Sequence, residues 1–460
     1  MQKISAAHDV TDSRLKRNAL SRHALISAAL ANVAPAMSFF FSFGLITAGA
    51  GRGSPLTIAA AAIAMLFHAN SLSEFSRALP STGSYITFIG RSFGGIAAII
   101  TAWVTAFGYI AAMGSVIAII GGWSAILLQK AGAIPVPWPL ISLGFVLLSG
   151  FLMIRGIVLS TRWVIALFVF ELASLLLAGL AILWSHPDAI NFSSFMPRAV
   201  RNGLKGIGLG FPLAVYLFIG SGNSAALAEE ASHPRQTIPR AIYTTVLYAA
   251  VLYLFLAWTT MIGLQNNPAR VEHAAVPFIA ASTSALGSWT LLVYIAGLIS
   301  TFASLIGGSN SEARVIFSAA RERVLPTFLA HISKKRTPDT AIIFFLSAAG
   351  AAALLWGMWA PPLHVFSYLG TLGGLPITLV YIAVNAALPV YYWREQRARF
   401  SWGRHIILPA AGSLSLLLPL WGFVQPGQAA PYRFFPFILA GYILLSGIYA
   451  LWRHHRDAAA

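Results

Sequence analysis

The chain has 460 residues, of which 58% are hydrophobic and only 9% are charged, and its mean hydropathy is +0.75. A soluble domain carries about a quarter charged residues, so this composition excludes an ordinary soluble protein and indicates a polytopic membrane protein. The formal net charge of +17 fits the basic loops of a membrane protein better than a nucleic-acid partner. The absence of cysteine excludes disulfides and thiolate metal sites.

Apolar runs of about 20 residues recur along the whole chain, and each is long enough to cross a bilayer. We therefore predict an all-α protein with about twelve transmembrane helices. In chain order, their expected ranges are 22–50, 54–78, 94–128, 138–155, 160–184, 207–230, 239–263, 285–318, 339–358, 362–388, 405–424 and 432–452.

The 30 Lys and Arg residues are concentrated in the two terminal tails and in every second loop between these helices. Basic residues collect on the cytoplasmic side of membrane proteins. We therefore predict a multi-pass protein of the cell (inner) membrane with both termini in the cytoplasm.

Two of the predicted helices carry helix-breaking residues near their middle. Pro35 lies in the first helix, and Gly220 and Gly222 flank Ser221 in the sixth. Proline removes a helix hydrogen bond, and glycine permits unwinding at low steric cost. Unwound backbone at membrane depth is tolerated only inside protein or against a wet cavity. Because the two helices are five apart, the pattern favours an inverted-repeat transporter with its binding site at the breaks, although ordinary kinks are the alternative.

Four separated stretches resemble signature regions of the amino acid–polyamine–organocation (APC) superfamily. They are SLSEFSRALPSTGSYITFIGRSFG (71–94), RGIVLSTRW (155–163), AEEASHPRQTIPRA (228–241) and SEARVIFSAARERVLP (311–326). By this resemblance, the chain is similar to the amino acid permeases of that superfamily. The resemblance implies a leucine-transporter-like fold, in which helices one to five and six to ten form two inverted repeats with broken helices one and six.

The implied organisation has five parts along the chain. They are a cytoplasmic N-terminal tail (1–21), a first five-helix repeat (22–184), a second five-helix repeat (207–388), two peripheral helices (405–452) and a cytoplasmic tail (453–460).

The resemblance places the substrate at the two breaks, where unwound carbonyl groups attract an amine and backbone N–H groups attract a carboxylate. Relatives commonly carry a Gly-rich triplet at the first break, where this chain has Pro35, Ala36 and Met37. This departure weakens an α-amino acid substrate without excluding it, because the N–H groups of Ala36, Met37 and Ser38 could still hold its carboxylate. Many relatives also carry an acidic residue where this chain has Gly222, so an anchor for a cationic substrate is missing at that position.

Tyr216 resembles an aromatic gate, with ordinary packing between helices as the alternative. The candidate substrate-binding residues are Asn32, Val33, Ala34, Ala36, Met37, Ser38, Tyr216, Phe218, Ile219, Gly220, Ser221, Gly222 and Asn223.

Glu171 lies inside the fifth predicted helix, and an ionisable residue in the membrane is a functional candidate by default. We predict that it carries a proton, since some proton-coupled relatives place an ionisable residue near this point. The alternatives are a carboxylate that faces the cytoplasmic vestibule or one that bonds a neighbouring helix. Ser300, Thr301 and Ser304 in helix eight could ligate sodium, or could simply allow close helix packing.

A pair of carboxylates, Glu229 and Glu230, ends the sixth predicted helix on the cytoplasmic side. In the implied fold, Arg77, Arg91 or Arg314 lies within reach of this pair. Salt bridges between them would hold an inward gate shut, and a solvated helix end is the alternative.

These features predict a secondary active transporter that moves amino acids or related amines by alternating access, with proton coupling. The alternatives are an exchanger without ion coupling and a transport-inactive sensor or structural subunit. We expect no enzyme, because no GxxxxGK[ST], HExxH or GxSxG string occurs. The expected partners are the substrate, a proton (with sodium as the alternative) and the lipid bilayer, without cofactor, metal or nucleic acid.

Overall fold

The computed structural model describes residues 22–132, 134–155, 161–425 and 428–459. The predicted N-terminal tail therefore lies outside the described residues, as does most of the stretch RGIVLSTRW. Within the described ranges, the chain is a bundle of helices joined by turns and short 3-10 segments.

The helices are numbered α1 to α16 in chain order. Their bounds are α1 (Arg22–Val33), α2 (Pro35–Ala50), α3 (Ser54–Ala78), α4 (Tyr85–Phe93), α5 (Gly95–Lys130), α6 (Trp138–Ile154), α7 (Thr161–Ser185), α8 (Leu204–Tyr216), α9 (Pro234–Gly263), α10 (Pro268–His273), α11 (Pro277–Leu286), α12 (Thr290–Arg321), α13 (Asp339–Gly357), α14 (Pro362–Glu395), α15 (Leu408–Val424) and α16 (Phe435–Ala459).

Nine helical segments of the described residues are long and apolar enough to cross a membrane. One of them, Pro35–Ala78, contains both α2 and α3, which the 3-10 turn Gly51–Gly53 joins. At 17 and 13 residues, α6 and α8 are shorter than the roughly 20 residues of a full span. The multi-pass architecture is thus confirmed, and the count of twelve spans stays a prediction.

The largest differences from the predicted ranges occur at helix ends. The seventh predicted helix begins at Pro234 as α9 rather than at residue 239, because proline is tolerated in the first helical turn, where its missing N–H has no partner in any case. The eighth predicted helix is divided: α11 ends at Leu286, the 3-10 turn Gly287–Trp289 follows, and α12 begins at Thr290.

The two segments with predicted breaks lie in the interior of the bundle. The α1 helix packs against α7, α9 and α12, and α2 packs against α8 and α12. Around them, α5 and α14 lie side by side and approach so closely that a Cβ on Gly373 would be 2.6 Å from the Ala112 nitrogen. The packing thus surrounds both breaks with side chains from α5, α7, α9 and α12.

Candidate functional site

The first break is a single residue. The α1 helix ends at Val33, α2 begins at Pro35, and Ala34 between them has left-handed angles, φ 46° and ψ 70°. The break lies inside the predicted segment 34–38 but is shorter, because proline starts the next helix at once with a preset φ and no N–H to satisfy. The chain therefore changes direction without a long unwound stretch.

The second break is longer. The α8 helix ends at Tyr216, residues 217–222 form successive turns, and a 3-10 helix runs from Asn223 to Leu227. Gly220, at φ +96°, adopts a conformation that side chains with a Cβ rarely reach. The unwound segment thus coincides with the predicted Gly-Ser-Gly-Asn stretch.

The two breaks face each other. A Cβ built on Gly220 would lie 2.9 Å from the Asn32 carbonyl oxygen, so the two backbones are almost in contact. A cavity lies between them, with a volume of about 40 Å³. The site is therefore narrow in this conformation.

Seven of the predicted substrate-binding residues line this cavity, together with side chains from α5 and α12. The predicted ones are Asn32, Val33, Met37, Ser38, Tyr216, Ile219 and Gly220, and the others are Ala112, Met113, Val116, Ser304, Gly308 and Glu312.

The other predicted residues of the second break point elsewhere. A Cβ on Gly222 would collide with the Tyr85 hydroxyl and with Leu72, so this position faces α3 and α4. Phe218 packs edge-on against Tyr253, and the Asn223 side chain lies beside Glu312. Ser221, Ala34 and Ala36 are buried without lining the cavity.

Glu171 on α7 binds the amino terminus of α2. The Ala36 N–H donates to its Oε1 at 2.8 Å, and the Ser300 hydroxyl on α12 lies beside the carboxylate. The Met37 N–H donates in turn to Ser300 Oγ at 3.3 Å. A helix amino terminus carries partial positive charge, which favours a carboxylate there. Two N–H groups that were predicted to hold a substrate carboxylate are therefore occupied in this conformation.

The Ser38 N–H, the third of these predicted donors, is also occupied, since it donates to the Ala34 oxygen at 2.9 Å. Of the alternatives for Glu171, the structure shows the one in which it bonds neighbouring helices. Its part in coupling stays a prediction.

The three hydroxyls that were candidates for sodium have three different surroundings. Ser300 contacts Glu171, Ser304 lines the cavity, and the Thr301 hydroxyl donates back to the Gly297 oxygen at 2.7 Å. The structure therefore gives Thr301 a role within its own helix.

Tyr216 lies at the edge of the cavity. Its hydroxyl and Ser115 Oγ on α5 are 2.9 Å apart, and its ring packs edge-on against Phe366 with centroids 6.0 Å apart. The ring therefore contacts both the cavity and Phe366 near the start of α14, and its part as a gate stays a prediction.

The carboxylate pair after the second break forms two ion pairs with α12. Glu230 is 3.1 Å from Arg314, and Glu229 binds Arg321, which the sequence interpretation had missed as a gate residue. Of the other predicted partners, Arg77 pairs with Glu74 at 2.7 Å, and Arg91 is exposed and joins no ion pair of the described residues.

Glu312 is the ionisable cavity residue that the sequence interpretation missed. It is 5% exposed, and it lies on α12 four and eight residues after Gly308 and Ser304, which also line the cavity. Residues four apart share one helix face, so this spacing was the signal that could have found it.

Residues 24–454 match the sequence profile of the amino acid permease family. The chain belongs to this family. The match covers almost the whole chain and confirms the resemblance to the APC superfamily that the four stretches indicated.

Curated relatives of this permease include transporters that are named for different substrates. This chain is 24% identical over 406 residues to the branched-chain amino acid permease of Lactococcus lactis subsp. cremoris. The alignment covers 81% of this chain and 82% of the relative. The corresponding permease of Bacillus subtilis is 26% identical over 427 residues, with 87% and 86% covered. The putrescine transporter of Haemophilus influenzae is 25% identical over 248 residues, with 53% and 56% covered.

We predict that Gly220→Ala destabilises the contact between the two breaks. The positive φ of Gly220 disfavours a Cβ by about 1–2 kcal/mol, and that atom would meet the Asn32 oxygen at 2.9 Å. The unfolding temperature of the purified protein should fall. The matched control is Gly374→Ala, where a Cβ meets only ordinary contacts with Tyr216 at 3.7 Å. Equal unfolding temperatures for the two variants would contradict the strained contact.

Proposed function

We propose that this permease is a secondary active transporter that moves amino acids or related amines by alternating access, with a proton coupled through Glu171. Two broken helices that face each other around a cavity support this proposal. Its relatives are named for substrates that range from branched-chain amino acids to putrescine, which supports amino acids and amines as the substrate class.

The proposed architecture is the leucine-transporter-like fold with twelve spans. In it, residues 22–184 and 207–388 form the two inverted repeats, residues 405–452 form the peripheral helices, and both termini lie in the cytoplasm of the inner membrane. The equivalent positions of the breaks, in the first and sixth predicted helices, support the repeat relation.

The observation that carries the coupling proposal is the hydrogen bond from the Ala36 N–H to Glu171. An ionised carboxylate is a strong acceptor at a helix amino terminus. Protonation removes that charge, so the Ala36 N–H becomes available to the carboxylate of an amino acid, while the Met37 N–H keeps Ser300 as its acceptor. Glu171 and the substrate carboxylate are alternative acceptors for the Ala36 N–H, so substrate binding is linked to proton uptake.

The proposed cytoplasmic gate consists of the two ion pairs between the second break and α12. Glu230 and Arg314 are both mostly buried, with side chains 12% and 9% exposed. Both acidic partners follow the unwound segment, so a movement of that segment separates them from Arg314 and Arg321. The gate then opens only when the second break rearranges.

We predict that Glu171→Gln uncouples transport in proteoliposomes. Glutamine keeps an acceptor oxygen for the Ala36 N–H but cannot ionise. Uptake of a substrate amino acid should lose its stimulation by an inward pH gradient, while counterflow exchange persists. In the wild type, a gradient of one pH unit supports up to about tenfold accumulation per coupled proton.

The matched control for this experiment is Glu272→Gln, which changes an external carboxylate paired with Arg201. It should keep the response to pH. An absolute requirement for sodium, together with a normal pH response in Glu171→Gln, would contradict the proton assignment and favour sodium.

A second prediction concerns the gate. Because the chain contains no cysteine, Ala112→Cys places a single thiol on the cavity wall. We predict that adding Arg314→Gln to this variant raises the rate of alkylation from the cytoplasmic side severalfold, measured in inside-out vesicles. Adding Arg91→Gln instead should leave that rate unchanged, because Arg91 is exposed and joins no ion pair of the described residues. Equal rates in the two variants would remove the ion pair from the gate.

A further inference from the structure

Glu312 is a buried ionisable residue of the cavity that the proposed coupling does not use. The Asn223 side chain lies beside it, and its Oε2 is buried without a partner among the described residues. An ionised carboxylate without a full set of partners is unfavourable in a buried site. The free oxygen therefore calls for a donor that the described part of the chain does not provide.

The surroundings of Glu312 offer further acceptors. Asn32 donates through Nδ2 to Ser311 Oγ at 3.0 Å, and its Oδ1 is buried without a partner in the described part of the chain. The Asn32 carbonyl oxygen lies beside Gly220 at the same break. No lysine or arginine is found among the described residues that line the cavity. The unsatisfied groups of the cavity are thus hydrogen-bond acceptors next to a carboxylate.

Gly222, where many relatives carry an acidic residue, is not a position from which a side chain could bind a group in the cavity. A side chain at Gly222 would run into Tyr85 and Leu72 rather than enter the cavity. Glu312 reaches the cavity from α12, where it lies beside Asn223 of the second break. The carboxyl group of the cavity therefore belongs to a different helix.

We propose that Glu312, with Asn32, anchors a positively charged group of the substrate, so that this permease selects amines of net positive charge. Basic amino acids and diamines are the class with this chemistry. The inference rests on the proposed transport function and names its substrate class. An ammonium or guanidinium group donates several hydrogen bonds and carries the opposite charge, so it satisfies Glu312 Oε2 and Asn32 Oδ1 together.

The test measures thermal unfolding of the purified full-length protein in nanodiscs with lysine, putrescine or leucine. A ligand that binds the folded state raises its apparent stability in a saturable way. We expect lysine or putrescine to bind the wild type at least tenfold more tightly than leucine. Glu312→Gln should weaken binding of that cation at least tenfold and reduce the preference over leucine.

Glu395→Gln is the matched control, because it makes the same chemical change at an exposed helix end. It should bind all three probes like the wild type. If Glu312→Gln does not fold, as judged by size-exclusion chromatography, the wild-type preference and the variant Asn32→Ala carry the test. Asn32→Ala should weaken lysine more than leucine.

Two results would overturn the inference. One is a wild type that binds leucine as tightly as lysine and putrescine. The other is a Glu312→Gln variant that keeps its preference for cations, or that changes only the pH dependence of leucine binding, which would make Glu312 a proton site.

Counterflow of labelled leucine in liposomes separates a failure of the cation anchor from a failure of the proposed transport function. If leucine exchanges, transport stands without the cation anchor, and if none of the three probes exchanges, the transport proposal itself fails.

Discussion

The structure depends on one constraint: every backbone N–H and C=O that a helix break frees inside a membrane needs a partner within the protein. At the first break, Glu171 accepts from Ala36, Ser300 accepts from Met37, and the Ser38 hydroxyl donates to the Val33 oxygen at 2.7 Å. At the second, the Tyr253 hydroxyl donates to the Leu217 oxygen at 3.0 Å. The breaks therefore tie α7, α9 and α12 to the centre of the bundle.

One hydrogen-bond partner of a freed backbone group can be replaced by another, and the proposed transport mechanism uses this replacement. A carboxylate at a helix amino terminus can be replaced by another carboxylate, provided that the first loses its charge or moves away. The proposed coupling follows from this exchange at Glu171. The same reasoning applies to Glu312, because its Oε2 has no partner among the described residues. In the proposal, a positively charged group of the substrate supplies the missing donor.

Much of the fold could be predicted because it depends on local sequence. Span-length apolar runs located most helices, and Pro35 and Gly220 located the breaks, since both residues act on their own backbone. The missed features depend on how helices are rotated against one another. The spacing of Ser304, Gly308 and Glu312 places them on one face of α12, but the sequence does not say which neighbouring helices that face meets. Arg321 was missed as a gate residue for the same reason, because its pairing with Glu229 depends on how α12 is turned toward the second break.

The most direct test of the central claim is calorimetry of substrate binding to the purified protein in two buffers with different enthalpies of ionisation. The substrate is an amino acid that counterflow identifies, and the pH is one at which the pH gradient drives uptake. If the carboxylates of Glu171 and of the substrate compete for the Ala36 N–H of α2, binding by the wild type takes up protons, and its apparent enthalpy differs between the buffers. Glu171→Gln should show no difference. Equal enthalpies in both buffers for the wild type would contradict the account.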